Sequence, residues 1–193
     1  DVAHPNVVRV HELCVDRGEW FFTMELIQGL TLEQRFAKAQ DRSARGVFDV
    51  FRQIIEGVAA IHAAGLLHRD LKPSNILVER SGRVVIVDFG LAASQDIGGR
   101  GRTLEGCMCG TPGYMAPEQR LGRPVEQASD WYNVGVMLHE VLTGYAPPRS
   151  ALCADPTRPA NRRWREHIPD LCEQDLFKLR ELCFSLLRAD PKR

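Results

Sequence analysis

The stretch His68-Arg69-Asp70-Leu71-Lys72-Pro73-Ser74-Asn75 puts a carboxylate, a primary amine and a carboxamide into one short loop. In an extended segment alternate side chains share a side, so Lys72 projects with Asp70 while Arg69 faces away. Leu66-Leu67-His68 reads as a short strand leading into this loop, with His68 as a packed, structural imidazole. Ile76-Leu77-Val78 and Val84-Val85-Ile86-Val87 flank Ser81-Gly82, which predicts a hairpin. That hairpin would return the chain from Asn75 to Asp88-Phe89-Gly90, bringing a neutral and a charged oxygen donor to one rim. Gly90 would give the following turn its backbone freedom. Further on stands Gly110-Thr111-Pro112-Gly113-Tyr114-Met115-Ala116-Pro117-Glu118. Any one of the three runs could be accidental, but their order and spacing together argue for a built site.

Around these runs the chain reads as a small β portion followed by a mainly helical body. Val7, Val8, Val10, Leu13 and Val15, the turn Asp16-Arg17-Gly18-Glu19, and Trp20 to Leu26 predict a first hairpin. Thr31 and Gln34 have the spacing of a capping box opening a short helix. Val47, Phe51, Ile54, Val58 and Ile61 repeat at helical spacing, with Gly65 placed to stop that helix. Val134, Met137, Leu138 and Val141 predict a helix ending near Gly144, and Leu176, Leu179, Cys183, Leu186 and Leu187 another, ended by Pro191. The proline-bearing segment 145–170 reads as irregular.

Composition narrows the function classes. The 193 residues are 44% hydrophobic, enough for one sizeable core. Lys plus Arg and Asp plus Glu each total 25, so no net field draws the chain to nucleic acid or an anionic membrane. Only four of the basic residues are lysines (Lys38, Lys72, Lys178, Lys192), which sets the one in the central run apart from background. The six cysteines, at 14, 107, 109, 153, 172 and 183, contain no Cys-x-x-Cys pair, which speaks against a zinc site or disulfide framework. No apolar run approaches the roughly 20 residues of a membrane span and no signal peptide opens the chain, so a cytoplasmic location is expected.

The three runs resemble the signature set of eukaryotic-type (Hanks-type) serine/threonine protein kinases. The resemblance covers nearly the whole chain and implies an α+β, protein-kinase-like fold. Residues 1–28 would be the end of the small lobe with its hinge, leaving a two-stranded remnant of the small-lobe sheet. Residues 29–193 would be the helical large lobe, stopping just short of its end. The glycine-rich phosphate loop and the nucleotide-binding lysine would precede Asp1, so the chain is expected to be a fragment with little activity by itself.

The family's activity implies transfer of the γ-phosphate of ATP, with Mg2+, to serine or threonine hydroxyls of a protein substrate. Positioning and charge neutralisation carry such a reaction. Asp70 would accept the hydroxyl proton, Lys72 would reach the γ-phosphate, and Thr111 would hydrogen-bond near both. Asn75 and Asp88 would hold the metal. Met24 would be the gatekeeper, Glu25 and Ile27 would offer hinge backbone to adenine, and Leu77 and Val87 would form the floor and back of the purine site. Arg69 would receive a phosphate placed on Thr103, which lies in the basic, glycine-rich run Gly98-Gly99-Arg100-Gly101-Arg102. Asp130 would brace the catalytic loop, and Glu118 would pair with an arginine beyond Arg193. Lys72 and the Gly110-to-Tyr114 run imply serine/threonine rather than tyrosine specificity. A non-catalytic, pseudokinase-like scaffold is the alternative, and the four intact polar residues argue against it. Small-molecule phosphotransferases of similar fold lack the run from Gly110 to Glu118. Truncation would also leave an unguarded sheet edge beside Trp20, Phe21 and Phe22, from which self-association is expected.

Overall fold

Arg17 and Gly18 take φ values of 50° and 86°. Two successive left-handed residues twist a tight turn in the sense that antiparallel strands require, and glycine tolerates this without strain. The turn joins β1 (Val10–Asp16) to β2 (Glu19–Met24), in register from Glu12↔Thr23 to Asp16↔Glu19 with an irregularity between Val10 and Glu12. The computed structural model describes residues 2–37, 42–88, 111–145, 147, 168, 170 and 172–187. A second antiparallel sheet has the order β3-β4-β5, formed by Gly29–Thr31, Ile76–Glu79 and Val84–Ile86. Asn6 and Val8 exchange backbone hydrogen bonds with Ile86, which docks the segment before β1 on the edge of that sheet.

The helices follow the apolar spacing. Thr31 caps α1 (Leu32–Arg35) through its hydroxyl while Gln34 returns the bond, the reciprocal box expected from the sequence. Ser43 caps α2 (Ala44–Ala63), whose buried stripe includes Val47, Phe51, Ile54, Val58 and Ile61. Each such aliphatic or aromatic burial contributes about 1.5–3 kcal/mol. Gly57 lies on the same stripe because the sheet comes very close there: a Cβ would stand 2.8 Å from Ile86 Cδ1 and 2.9 Å from the Asn6 carbonyl oxygen. The short α3 (Pro117–Arg120) precedes α4 (Gln127–Thr143), and α5 is Glu173–Leu186. One core unites α2, α4, α5 and the sheet, through Ile54, Ile61, Leu71, Ile76, Met137, Leu138 and Leu179.

The expected strand at Leu66 to His68 does not form. The chain leaves α2 through Gly65 at φ 74°, and the Leu66 amide turns back to the Ile61 carbonyl. The His68 and Arg69 amides go to the carboxylate of Asp130 instead of to a neighbouring strand. Asp70 therefore sits in an irregular loop held from α4. Phe89, Gly90, Thr103, Cys107 and Cys109, and almost all of the segment expected to be irregular, lie outside the described residues.

Candidate active site

Asp130, on the first turn of α4, has no solvent exposure. Its Oδ2 accepts from His62 Nε2 at 2.8 Å and from the His68 amide at 2.9 Å, and its Oδ1 accepts from the Arg69 amide at 2.8 Å. A buried carboxylate persists only with such a set of donors. Two of the three donors are consecutive backbone amides, so the carboxylate fixes the loop's path. Arg69 adopts φ 70°, a left-handed conformation that side-chain-bearing residues rarely take, and so is not part of an extended segment. Its carbonyl accepts from Gln119 Nε2 at 2.8 Å, and its Nε is buried with no hydrogen-bond partner among the described residues.

His68 ties the loop to the strand that leads to Asp88. Its Nε2 lies 3.0 Å from the Val87 carbonyl oxygen, which can only accept, so Nε2 carries the proton. Nδ1 is then free to accept the Asp70 amide at 3.4 Å. Burial holds the imidazole below the ordinary histidine value, against the raising influence of the Val87 carbonyl and of Asp130 and Asp70. The ring is therefore neutral at pH 7, in keeping with a structural role.

Asp70 is gripped on both oxygens. Lys72 Nζ donates to Oδ2 at 2.6 Å, while the Thr111 amide and hydroxyl approach Oδ1 at 3.0 and 3.3 Å. Lys72 is extended, at φ −156° and ψ 164°, and its side chain reaches the same side as Asp70. Pro73 then opens a single 3-10 turn ending at Asn75. Asn75 Nδ2 donates to the Asp70 carbonyl at 3.0 Å, and its Oδ1 accepts from Ser74 Oγ at 3.4 Å. The Val87 amide donates to the Asn75 carbonyl at 2.9 Å, so the hairpin does carry Asp88 back to Asn75. Asp88 is exposed and holds φ 60°. Among the described residues no three His, Cys, Asp or Glu side chains converge as a metal cage. Asn75 and Asp88 each carry a hard oxygen donor, and the Val87–Asn75 bond brings their stretches of backbone close together.

Beside this rim Ile27, Leu77 and Val87 pack with Val8 and Val85 in a small apolar cluster. Met24 lies outside that cluster and is 42% exposed. Glu118 accepts a hydrogen bond from the Ser129 hydroxyl, which in turn receives the Glu126 amide at the start of α4. The expected arginine partner is not among the described residues.

Sequence reasoning missed four residues that shape the site. His62 supplies the third donor to Asp130 and meets Trp131 edge-on at 5.3 Å. Gln119 is almost fully buried, accepts the Ala116 amide and holds the Arg69 carbonyl. Tyr114 donates to Glu140 Oε2 at 2.7 Å, and burial together with that carboxylate pushes its phenol well above the ordinary value. Arg83 pairs with Glu25. Only His62 left a signal, as a polar residue one position beyond the apolar stripe of α2.

Comparison with known proteins gives a consistent result. The protein kinase domain model matches residues 1–193. Serine/threonine-protein kinase PkaA of Streptomyces coelicolor is 36% identical over 202 residues, covering 98% of this chain and 34% of that protein. Calcium/calmodulin-dependent protein kinase type 1 of Macrobrachium nipponense is 35% identical over 149 residues, covering 76% of this chain and 42% of that protein. Serine/threonine-protein kinase PknL of Mycobacterium tuberculosis is 38% identical over 141 residues, 73% of this chain and 35% of that protein. The chain thus spans well under half the length of these relatives. With the model matched from end to end and relatives of this kind, the chain belongs to the protein kinase domain family, in its Hanks-type serine/threonine branch.

Proposed function

We propose that the protein transfers the γ-phosphate of ATP to serine and threonine hydroxyls of protein substrates. The observation that carries this reading is the Asp70 carboxylate held between Lys72 Nζ and the amide and hydroxyl of Thr111. In this reading Asp70 orients the acceptor hydroxyl and takes its proton as the oxygen–phosphorus bond forms and the bond to the ADP leaving group breaks. Lys72 offsets charge on the transferred group. Thr111 keeps Asp70 in one orientation, so little reorganisation is needed at the moment of reaction.

Mg2+ would be held by Asn75 and Asp88 and would neutralise phosphate charge. Ile27, Leu77 and Val87, which pack in one apolar cluster, would receive the purine, with Met24 as gatekeeper and the backbone of Glu25 and Ile27 offered to adenine. Arg69 would receive the phosphate of a modified Thr103, and Glu118 and Asp130 have structural roles. Residues 1–28 would close the small lobe and 29–193 form the large lobe. No helix among the described residues is long and apolar enough to cross a membrane, which is compatible with a cytoplasmic location. Self-association through the β1–β2 ribbon is part of the same proposal, supported by exposed Leu13, Val15, Trp20 and Phe21.

The test is transfer of labelled phosphate to a basic protein by the full-length protein and by its Lys72→Met and Asp88→Asn variants. Losses of about 100-fold or more in both are expected. Near-normal turnover in either would remove its assigned role.

A further inference from the structure

Beyond β1 and β2 the ladder continues by one pair, Arg9 opposite Glu25, and that pair is incomplete. A hydrogen-bonded antiparallel pair exchanges two N–H···O=C bonds. Here the Glu25 amide donates to the Arg9 carbonyl at 2.9 Å. The Arg9 amide, however, donates to Glu25 Oε1, also at 2.9 Å. The side chain of Glu25 has taken the place of its own backbone carbonyl, whose oxygen accepts from no described residue.

Arg83 holds the carboxylate in that position. Its Nη2 reaches Oε1 at 3.2 Å and Oε2 at 3.3 Å, and its Nη1 reaches Oε2 at 3.3 Å. Its Nε donates to the Pro5 carbonyl at 2.8 Å, and Glu79 flanks it at 3.7 Å. The guanidinium is thus anchored by the segment before β1 and by β4 while it grips Glu25. Burial pushes the Glu25 carboxyl upward, but the Arg9 amide and the Arg83 guanidinium outweigh this and leave it below its ordinary value.

We infer that Arg83 and the Glu25 carboxylate are a positioning clamp that keeps the Glu25 carbonyl out of the ladder and free to accept a hydrogen bond from the 6-amino group of adenine. The inference rests on the nucleotide reading above, since Ile27 two residues on packs with Leu77 and Val87. A fixed acceptor at this point also disfavours guanine, whose 6-oxo group would oppose the carbonyl lone pairs. Without the clamp the carbonyl could turn to the Arg9 amide and complete the pair, and the adenine donor would lose its partner.

Steady-state kinetics of the full-length protein with ATP and with purine riboside triphosphate, which lacks the 6-amino group, test this. Glu25→Ala and Arg83→Met should each raise KM for ATP about tenfold, the worth of roughly one hydrogen bond. The loss should fall on KM rather than kcat, and KM for purine riboside triphosphate should move less than about twofold. Glu25→Gln keeps an oxygen for the Arg9 amide and should recover part of the loss. Equal losses with both nucleotides would show a merely structural role and overturn the inference, as would an unchanged KM for ATP in Arg83→Met. Wild-type protein that turns over neither nucleotide would contradict the kinase reading itself, and the clamp with it, before any variant is compared.

Discussion

Asp130 and Arg69, 61 residues apart in sequence, are joined by a 2.8 Å bond from the Arg69 amide to a carboxylate oxygen of a residue with no solvent exposure. The loop bearing Asp70 is thereby built from α4 rather than from a strand of its own. Asparagine at position 130 would keep one acceptor oxygen and turn an NH2 group towards amides that are themselves donors. Asp130→Asn should lower unfolding stability by about 3–5 kcal/mol, as for other broken buried charge networks. Urea denaturation followed by circular dichroism measures this, and a loss below about 1 kcal/mol would mean that the loop does not depend on the carboxylate.

Elements with a local apolar period were readable in the sequence. The stripe from Val47 to Ile61, the Thr31–Gln34 box and the turn at Arg17-Gly18 each act within a few residues, and each stands where expected. The approach of Asp88 to Asn75 was readable too, because a hairpin closes the distance between them. The strand at Leu66 to His68 was misread because the Leu66 amide turns back to Ile61 and the His68 amide, like that of Arg69, is satisfied by a side chain more than sixty residues away, which no local pattern reveals. The same holds for Gln119 on the Arg69 carbonyl and for Arg83 on Glu25. Side-chain-to-backbone bonds over long separations leave no periodicity to find.

Acid should loosen this site through His68. Its folded value lies below the ordinary 6.5, so the unfolded state binds a proton first as pH falls. The stability that the neutral ring contributes is fully present above about pH 6.5 and is lost as pH drops through the lower folded value. Protonation at Nδ1 would also put a donor against the Asp70 amide. Urea midpoints between pH 7.5 and 5.5 should fall, and fall less steeply in His68→Gln. His139, also held low by burial, leaves a residual slope of the same sign. Equal slopes in wild type and His68→Gln would contradict this assignment.

The β1–β2 ribbon should drive association of the 193-residue chain. Among the described residues each strand pairs only with the other, neither contains proline or lysine, and Leu13, Val15 and Trp20 are 50%, 53% and 58% exposed. Such edges and faces template intermolecular pairing. Light scattering at about 50 µM, well within the range where exposed edges associate, should report species larger than the 21.7 kDa monomer. Trp20→Lys should shift the distribution towards monomer. A monodisperse wild-type monomer would show that the ribbon is protected in solution.

The central claim is that Asp70 accepts the hydroxyl proton during phosphate transfer, and the measurement closest to it is single-turnover transfer from labelled ATP to a serine-containing protein by wild type and Asp70→Asn in the full-length protein. Asparagine is nearly isosteric and keeps one oxygen that accepts from either Thr111 or Lys72, and its side chain at this partly exposed position lies outside the core, so the fold should hold while the basic group is lost. The account predicts a fall of about 100- to 10,000-fold in the transfer rate, with ATP affinity changed by less than about threefold. A transfer rate within about tenfold of wild type, at unchanged ATP affinity, would contradict it.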